Sequence, residues 1–319
     1  MLRLPAATAM LLSAALIACD GGGTPSQAGG GADAPRRSRP LAVCTTPMVG
    51  DLVRQIAGDA VEVVTLISAG TDPHLWTPTR TEVVSILEAD AVFMNGLLLE
   101  GRAGDAFARV EQAGRPVVRV AESISRDQLA FDPANSSMLD PHVWMDPVLW
   151  AGTAPAVVEG LVKIAPNSRG SFEGNAQRFA AAAAELDTAI RTAIASVPNG
   201  KRVLITAHDA FGYFGRRYGL EVHGLQGLST ESEPSLAQVE RIVDLVCDAR
   251  LPTVFAETTV NDRTVRAVIE GCAARGHDVR LGEALFSDSL GRPALPEGTW
   301  AGMMRHNARA IVDGLGGRW

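Results

Sequence analysis

Residues 168–197 read SRGSFEGNAQRFAAAAAELDTAIRTAIASV, and this stretch decides the architecture. Phe172, Phe179, Ala183, Leu186, Ile190 and Ile194 recur at helical spacing, and no proline interrupts them before Pro198. One unbroken helix is predicted, roughly 40 Å or more in length at a 1.5 Å rise per residue. Outward from it the pattern changes. On the N-terminal side, short β-branched runs at 41–44, 61–67, 91–94 and 117–120 alternate with helix candidates near 48–57, 79–88 and 104–113. Pro47 and Pro78 fall where a first helical turn tolerates proline. On the C-terminal side, runs at 202–206, 221–225, 253–256 and 278–281 alternate with helix candidates near 211–218, 235–249, 262–274 and 299–315. Such alternation is the mark of parallel α/β sheets. The predicted fold is therefore α/β, with two lobes at 41–166 and 199–319, each a parallel sheet flanked by helices, joined by one long rigid α-helix at 167–198. A stiff joining helix limits how far the lobes can swing, and a cleft between two lobes is an architecture for binding.

The chain has 319 residues, 46% of them hydrophobic, which suffices for a core in each lobe. Its net charge is −7 and Lys and Arg form no stripe, so the electrostatic footprint of a nucleic-acid binder is missing. Nucleic acid is excluded as a partner on that ground.

The N-terminus carries Arg3, then an apolar run at 9–18 too short to span a bilayer, then Leu16-Ile17-Ala18-Cys19. This resembles a bacterial lipoprotein signal peptide, with an ordinary secretory signal as the alternative. The resemblance implies removal of residues 1–18 and diacylation of Cys19 through its sulfur. Residues 19–40, rich in Gly, Pro and Ser, read as a flexible tether. The expected location is the outer face of the cytoplasmic membrane, in the periplasm if the cell is Gram-negative. Export also permits disulfides, and Cys247 and Cys272, on successive helix candidates, are expected to face each other and pair. Cys44 sits in an apolar run and reads as a small core residue.

Three of the six histidines stand in polar, turn-like settings. His74 lies in Asp72-Pro73-His74-Leu75-Trp76-Thr77-Pro78-Thr79, His142 in Asp140-Pro141-His142-Val143-Trp144, and His208 in Thr206-Ala207-His208-Asp209-Ala210-Phe211. In open parallel sheets the ligand crevice lies off the carboxyl ends of the strands, so residues there can converge from two lobes. A metal site needs deprotonated ligands in fixed orientation, and the proline just before His74 and before His142 restricts the backbone that carries each. Asp288, after the last predicted strand, is the best placed fourth ligand. Glu257, at the end of the 253–256 run, is its rival or a carboxylate that accepts an imidazole N–H. His223, His277 and His306 read as solvated or locally hydrogen-bonded residues.

Taken in order, these segments resemble the zinc and manganese substrate-binding lipoproteins of bacterial ABC transporters. The resemblance spans the chain from Leu41 to Trp319. It rests on both Asp-Pro-His turns, the His208 segment running into Phe211-Gly212-Tyr213-Phe214, Asp288-Ser289-Leu290, and the closing Trp300-Ala301-Gly302-Met303-Met304-Arg305-His306-Asn307. It implies a metal site made of His74, His142, His208 and Asp288, and a monomer that delivers its ion to an ABC permease. A metallochaperone is a further candidate partner.

Three imidazoles and a carboxylate suit Zn²⁺, whereas a carboxylate in place of an imidazole would favour Mn²⁺. Zinc is the expected cargo. Mn²⁺ or Fe²⁺ is the alternative, because zinc members of the group often carry a His-rich loop that this chain lacks. Four protein ligands leave no open position for a reactive water, which argues for holding metal and against catalysis. The competing class is a zinc hydrolase with Glu257 as general base, but no His-Glu-x-x-His segment supports it. A surface adhesin is a third reading. Proton competition for imidazoles of ordinary pKa would weaken binding through and below about pH 6.5.

Overall fold

The computed structural model describes residues 37–132 and 135–319; the predicted signal peptide and Cys19, the predicted lipid attachment point, lie outside the described residues. The first half contains β1 (Leu41–Cys44), α1 (Pro47–Ala57), β2 (Glu62–Thr65), α2 (Arg80–Glu88), β3 (Ala91–Met94), α3 (Gly104–Gln112) and β4 (Val117–Arg119). Its four strands pair in parallel in the order β2-β1-β3-β4. β1 and β3 are buried at every residue, as central parallel strands covered on both faces must be. Alternation assigns their side chains to two layers. Ala42, Cys44, Ala91 and Phe93 face one core, and Leu41, Val43, Val92 and Met94 the other. Local chemistry starts the helices where they are predicted. Thr46 caps α1 ahead of Pro47, and Thr79 and Glu82 form a reciprocal capping box on α2.

Between residues 121 and 167, where the sequence pattern assigns no element, the chain forms an antiparallel hairpin, β5 (Phe131–Asp132) and β6 (Asn135–Leu139). Helices α4 (Pro147–Gly152) and α5 (Ala154–Ile164) follow it. Signals for the helices were present. Asp146 caps α4 by accepting from the N–H groups of Val148 and Leu149, and both helices carry proline in the first turn.

The long helix is α6 (Arg169–Ala195), whose 27 residues span about 40 Å. All six apolar residues that predict it are buried. Each fully buried large apolar side chain is worth about 1.5–3 kcal/mol, so packing holds this helix more than propensity does. It packs on α1, α4 and α5 of the first half. From the second half it meets α7 (Gly212–Tyr218), which follows β7 (Val203–Thr206), and the closing helix. The rest of that half is β8 (Glu221–Gly224), α8 (Leu236–Asp248), β9 (Thr253–Val254), α9 (Arg263–Ala274), β10 (Arg280–Leu281) and the closing helix α10 (Trp300–Gly314). β7 pairs in parallel with β8, and β9 with β10. The Phe255 N–H donates to the Ile205 carbonyl at 3.0 Å and links the two pairs.

The two halves share a core. Trp150, Phe172, Phe214, Trp300 and Ile311 belong to one buried cluster, and Arg39–Trp319 forms one compact unit. Trp144 donates from Nε1 to the Ser287 carbonyl at 2.9 Å, and Trp300 donates from Nε1 to the Trp144 carbonyl at 2.9 Å. Among the described residues, no helix is long and apolar enough to cross a membrane.

The expected Cys247–Cys272 disulfide is not present in this structure. Cys247 and Cys272 lie in contact where α8 packs on α9, but both are free thiols. Burial, and then the neighbouring Cys247, push the Cys272 thiol up to about 12. Cys44 is a buried core thiol as predicted, also pushed up to about 12 by burial.

Candidate metal centre

Strand ends and short turns deliver all four predicted ligands to one place. His208 sits two residues beyond β7, Asp288 lies in the loop between β10 and α10, His74 in the loop after β2, and His142 in the turn after β6. One donor atom from each of the four lies within 4.8 Å of the others. His142, His208 and Asp288 are wholly buried, and the His74 side chain is 7% exposed. The site is thus enclosed, and His74 forms its only edge toward solvent among the four.

The contacts within the cluster are close, and among the four residues only His74 and His142 stand in hydrogen-bond geometry to each other. His74 Nε2 is 3.3 Å from His142 Nε2, His142 Nε2 is 3.3 Å from Asp288 Oδ1, and His208 Nε2 is 3.0 Å from Asp288 Oδ2. Yet His208 Nε2 and both Asp288 oxygens have no hydrogen-bond partner of acceptable geometry. Buried polar atoms left unpaired cost about 1–3 kcal/mol each, more when charged, so a set of them aimed at one another calls for a shared partner. Three imidazole nitrogens and a carboxylate supply what a divalent cation needs.

The outer ring of the site fixes which nitrogen faces inward. Asp140 Oδ1 accepts both the His142 backbone N–H at 2.9 Å and its Nδ1–H at 2.7 Å. Glu257 treats His208 the same way, with Oε1 taking the backbone N–H at 2.8 Å and Oε2 taking Nδ1–H at 2.5 Å. Each carboxylate holds the proton on Nδ1 and leaves Nε2 to the centre. Glu257 is therefore a carboxylate behind His208 in this arrangement, the second of the two roles its sequence position suggests. Asp72 Oδ1 accepts the His74 backbone N–H at 2.8 Å, while its Oδ2 takes the Thr230 hydroxyl at 2.5 Å.

Charge and burial compete in the cluster. For His74 burial wins and pushes its pKa down to about 3, against the pull of Asp288. At His142 burial also opposes the charged form, but Asp140 and Asp288 outweigh it and push the pKa up to about 9. Glu257 and Asp288 likewise overcome burial at His208 and hold it well above the ordinary imidazole range. Burial would raise Asp288, but His208 and His142 hold it well below the usual carboxylate range.

The sequence reading passed over the roles of Asp72 and Asp140, although both stand two residues before a ligand histidine. That spacing was the available signal, because an Asp side chain readily accepts the N–H two residues on. Trp144 packs edge-on against His142 at 5.3 Å, whereas Trp76 packs into the core behind β1 and β3. The other histidines have local partners. His223 meets Glu221 at 2.7 Å, His277 the Leu251 carbonyl at 2.8 Å, and His306 the Ala284 carbonyl at 2.9 Å.

Gly224, at the end of β8, lets two backbones touch behind His208. A Cβ there would stand 2.5 Å from the Asp209 nitrogen and 2.7 Å from the His208 carbonyl carbon. Gly224→Ala is expected to destabilise the fold by roughly 1–3 kcal/mol and to weaken metal binding, because backbone cannot yield as a side-chain tip can. Thermal unfolding with and without metal checks this, and an unchanged midpoint and affinity would refute it.

The geometry has counterparts among known proteins. Residues 42–314 match the family described as zinc-uptake complex component A, periplasmic. The chain is 40% identical over 287 residues to the zinc-binding protein TroA of Treponema pallidum, covering 90% of this chain and 92% of that protein. The solved structure of that periplasmic zinc-binding protein superposes with a TM-score of 0.83 at 39% identity, over 87% of this chain and 99% of the other. The manganese-binding lipoprotein MntA of Bacillus subtilis is 36% identical over 271 residues, 85% of this chain and 88% of its own length. A manganese ABC transporter substrate-binding lipoprotein, PsaA of Streptococcus mitis, is 26% identical over 306 residues, 94% of each chain. Metal-ligand geometry, α/β architecture and family match agree, and the chain belongs to the family of periplasmic metal-uptake components that the zinc-uptake component A describes.

Proposed function

We propose that this protein captures Zn²⁺ between its two halves with His74, His142, His208 and Asp288, and hands it to an ABC importer in the cytoplasmic membrane. The observation that carries the reading is the convergence of three Nε2 atoms with two unpaired carboxylate oxygens at one buried point. Nitrogen-rich donor sets suit zinc. The relative named for zinc is also more similar to this chain than those named for manganese. All four donors belong to the protein, so the site is built to hold an ion rather than to activate a water on it. Elemental analysis of protein purified without added metal, followed by competition between Zn²⁺ and Mn²⁺, tests the assignment. Preferential retention of zinc supports it, and displacement of zinc by equimolar manganese overturns it.

A manganese carrier is the second reading. It is favoured by the similarity to manganese-binding MntA and by the two free oxygens of Asp288, which could bind a harder ion bidentately.

Delivery to a permease requires a protein held at the membrane. Cys19 supplies the lipid anchor in this reading, at the outer face of the cytoplasmic membrane, with the folded body acting as a monomer. Cys19→Ala is expected to move the protein from the membrane to the soluble fraction. Fractionation that finds the variant still membrane-bound would refute the anchor.

A further inference from the structure

Helix α7 begins four residues after His208, and its side chains reach across to the segment that carries His142. Tyr213 is fully buried, and its hydroxyl donates to the Asp140 carbonyl at 2.9 Å while accepting the Ala130 N–H at 3.0 Å. The same Asp140 uses its carboxylate to hold the backbone N–H and the Nδ1–H of His142. Gly212 brings α7 so close to this carboxylate that a Cβ would lie 3.1 Å from Asp140 Oδ2. Arg216 donates to the Gln128 carbonyl at 2.8 Å, its guanidinium 4.9 Å above the Tyr213 ring. Arg217 grips Asp187 of α6 through two bonds of 2.8 and 2.7 Å and lies 3.5 Å from Asp146, the cap of α4. One short helix thus ties His208, the long helix and the His142 turn together.

We infer that Tyr213 is a positioning residue for the metal centre, setting the distance between His208 and His142 by holding the Asp140-Pro141-His142 turn against α7. This rests on the metal-binding reading of the four ligands and extends it. Tyr213 touches no ligand atom. It acts through Asp140, and a cation of fixed size is sensitive to the spacing of donors contributed by separate halves.

The test uses the full-length protein with zinc as the probe. Tyr213→Phe keeps the ring, its burial and its contact with Arg216, and removes only the hydroxyl that joins the two backbones. Zinc affinity is expected to fall about tenfold, with faster release to a chelator, as for other losses behind a metal ligand. Tyr218→Phe is the control. Tyr218 lies on the same helix, meets Phe214 edge-on at 4.7 Å, and its buried hydroxyl makes no hydrogen bond to the His142 turn. Its removal is expected to leave zinc affinity at the wild-type value. A purely structural Tyr213 would lower the melting temperature of the metal-free protein in proportion to lost affinity, whereas a positioning role lowers affinity beyond that. Gly212→Ala reads the same contact from the Asp140 side and is expected to weaken zinc in the same direction. Wild-type affinity in Tyr213→Phe and Gly212→Ala, or equal losses in Tyr213→Phe and Tyr218→Phe, would overturn the inference. His208→Ala reports separately on the site itself. If wild type and His208→Ala bind zinc alike, the reading of the ligands fails and the role of Tyr213 falls with it.

Discussion

Replacing His208 with alanine is expected to weaken zinc binding by more than about a hundredfold, beyond the 10–100-fold that losses behind a ligand produce. His208 Nε2 is buried, unpaired and 3.0 Å from Asp288 Oδ2, and no other imidazole from the second half reaches the cluster. Truncation removes a nitrogen donor and leaves Glu257 with two acceptor oxygens and only one of the two protons it held, the backbone N–H. Asp288→Ala is expected to cost less, since a water can stand in for a carboxylate oxygen but not for an imidazole in a zinc site. Glu257→Gln keeps one acceptor oxygen for the two N–H groups that Glu257 holds and sets an N–H donor against the other, so it is expected to cost about tenfold or more, through the tautomer, orientation and basicity of His208. Chelator competition across these variants checks the order. Tight zinc binding by His208→Ala with loss in Glu257→Gln would move Glu257 into contact with the metal.

Zinc uptake is also expected to release about two protons per ion across the neutral range, so that affinity falls about a hundredfold per unit of acidification. The sign follows from the raised groups. His142, pushed up to about 9, and His208, held well above the ordinary range, keep their protons in the metal-free protein at neutral pH. His74, pushed down to about 3, is already neutral. Zinc must therefore displace the protons of His142 and His208 but not of His74. Two protons carry the same charge as one divalent cation, so the exchange leaves the net charge of the buried cluster unchanged. Binding strengthens as pH rises toward about 9 and weakens below it. Ordinary imidazoles would confine the effect to pH values near and below about 6.5, and the carboxylates behind His142 and His208 move that window upward. Calorimetry in buffers of different ionisation enthalpy counts the protons, and a count near zero at pH 7.5 would contradict this account.

The long helix was legible because Phe172, Phe179, Leu186 and Ile190 mark one buried face with no proline to break it. The candidate ligands were legible because two Asp-Pro-His turns and a histidine at a strand end, His208, offer imidazoles in fixed settings. The hairpin at β5 and β6 was not, since its strands of two and five residues leave too little alternation to read. Nor were the partners of Asp140, Glu257 and Tyr213 readable, although Glu257 was anticipated as a carboxylate that accepts an imidazole N–H. Tyr213 lies 73 residues from Asp140, and Glu257 49 from His208, distances that only the folded chain closes. The Cys247–Cys272 contact was anticipated from helix placement, but whether two adjacent sulfurs bond depends on thiolate chemistry that spacing does not encode.

The central claim is most directly tested by anomalous diffraction at the zinc absorption edge from crystals of the zinc-loaded protein. The account predicts one peak per chain, about 2.0–2.2 Å from Nε2 of His74, His142 and His208 and from a carboxylate oxygen of Asp288. A peak coordinated by Glu257 in place of Asp288, or one lying away from these four residues, would contradict it.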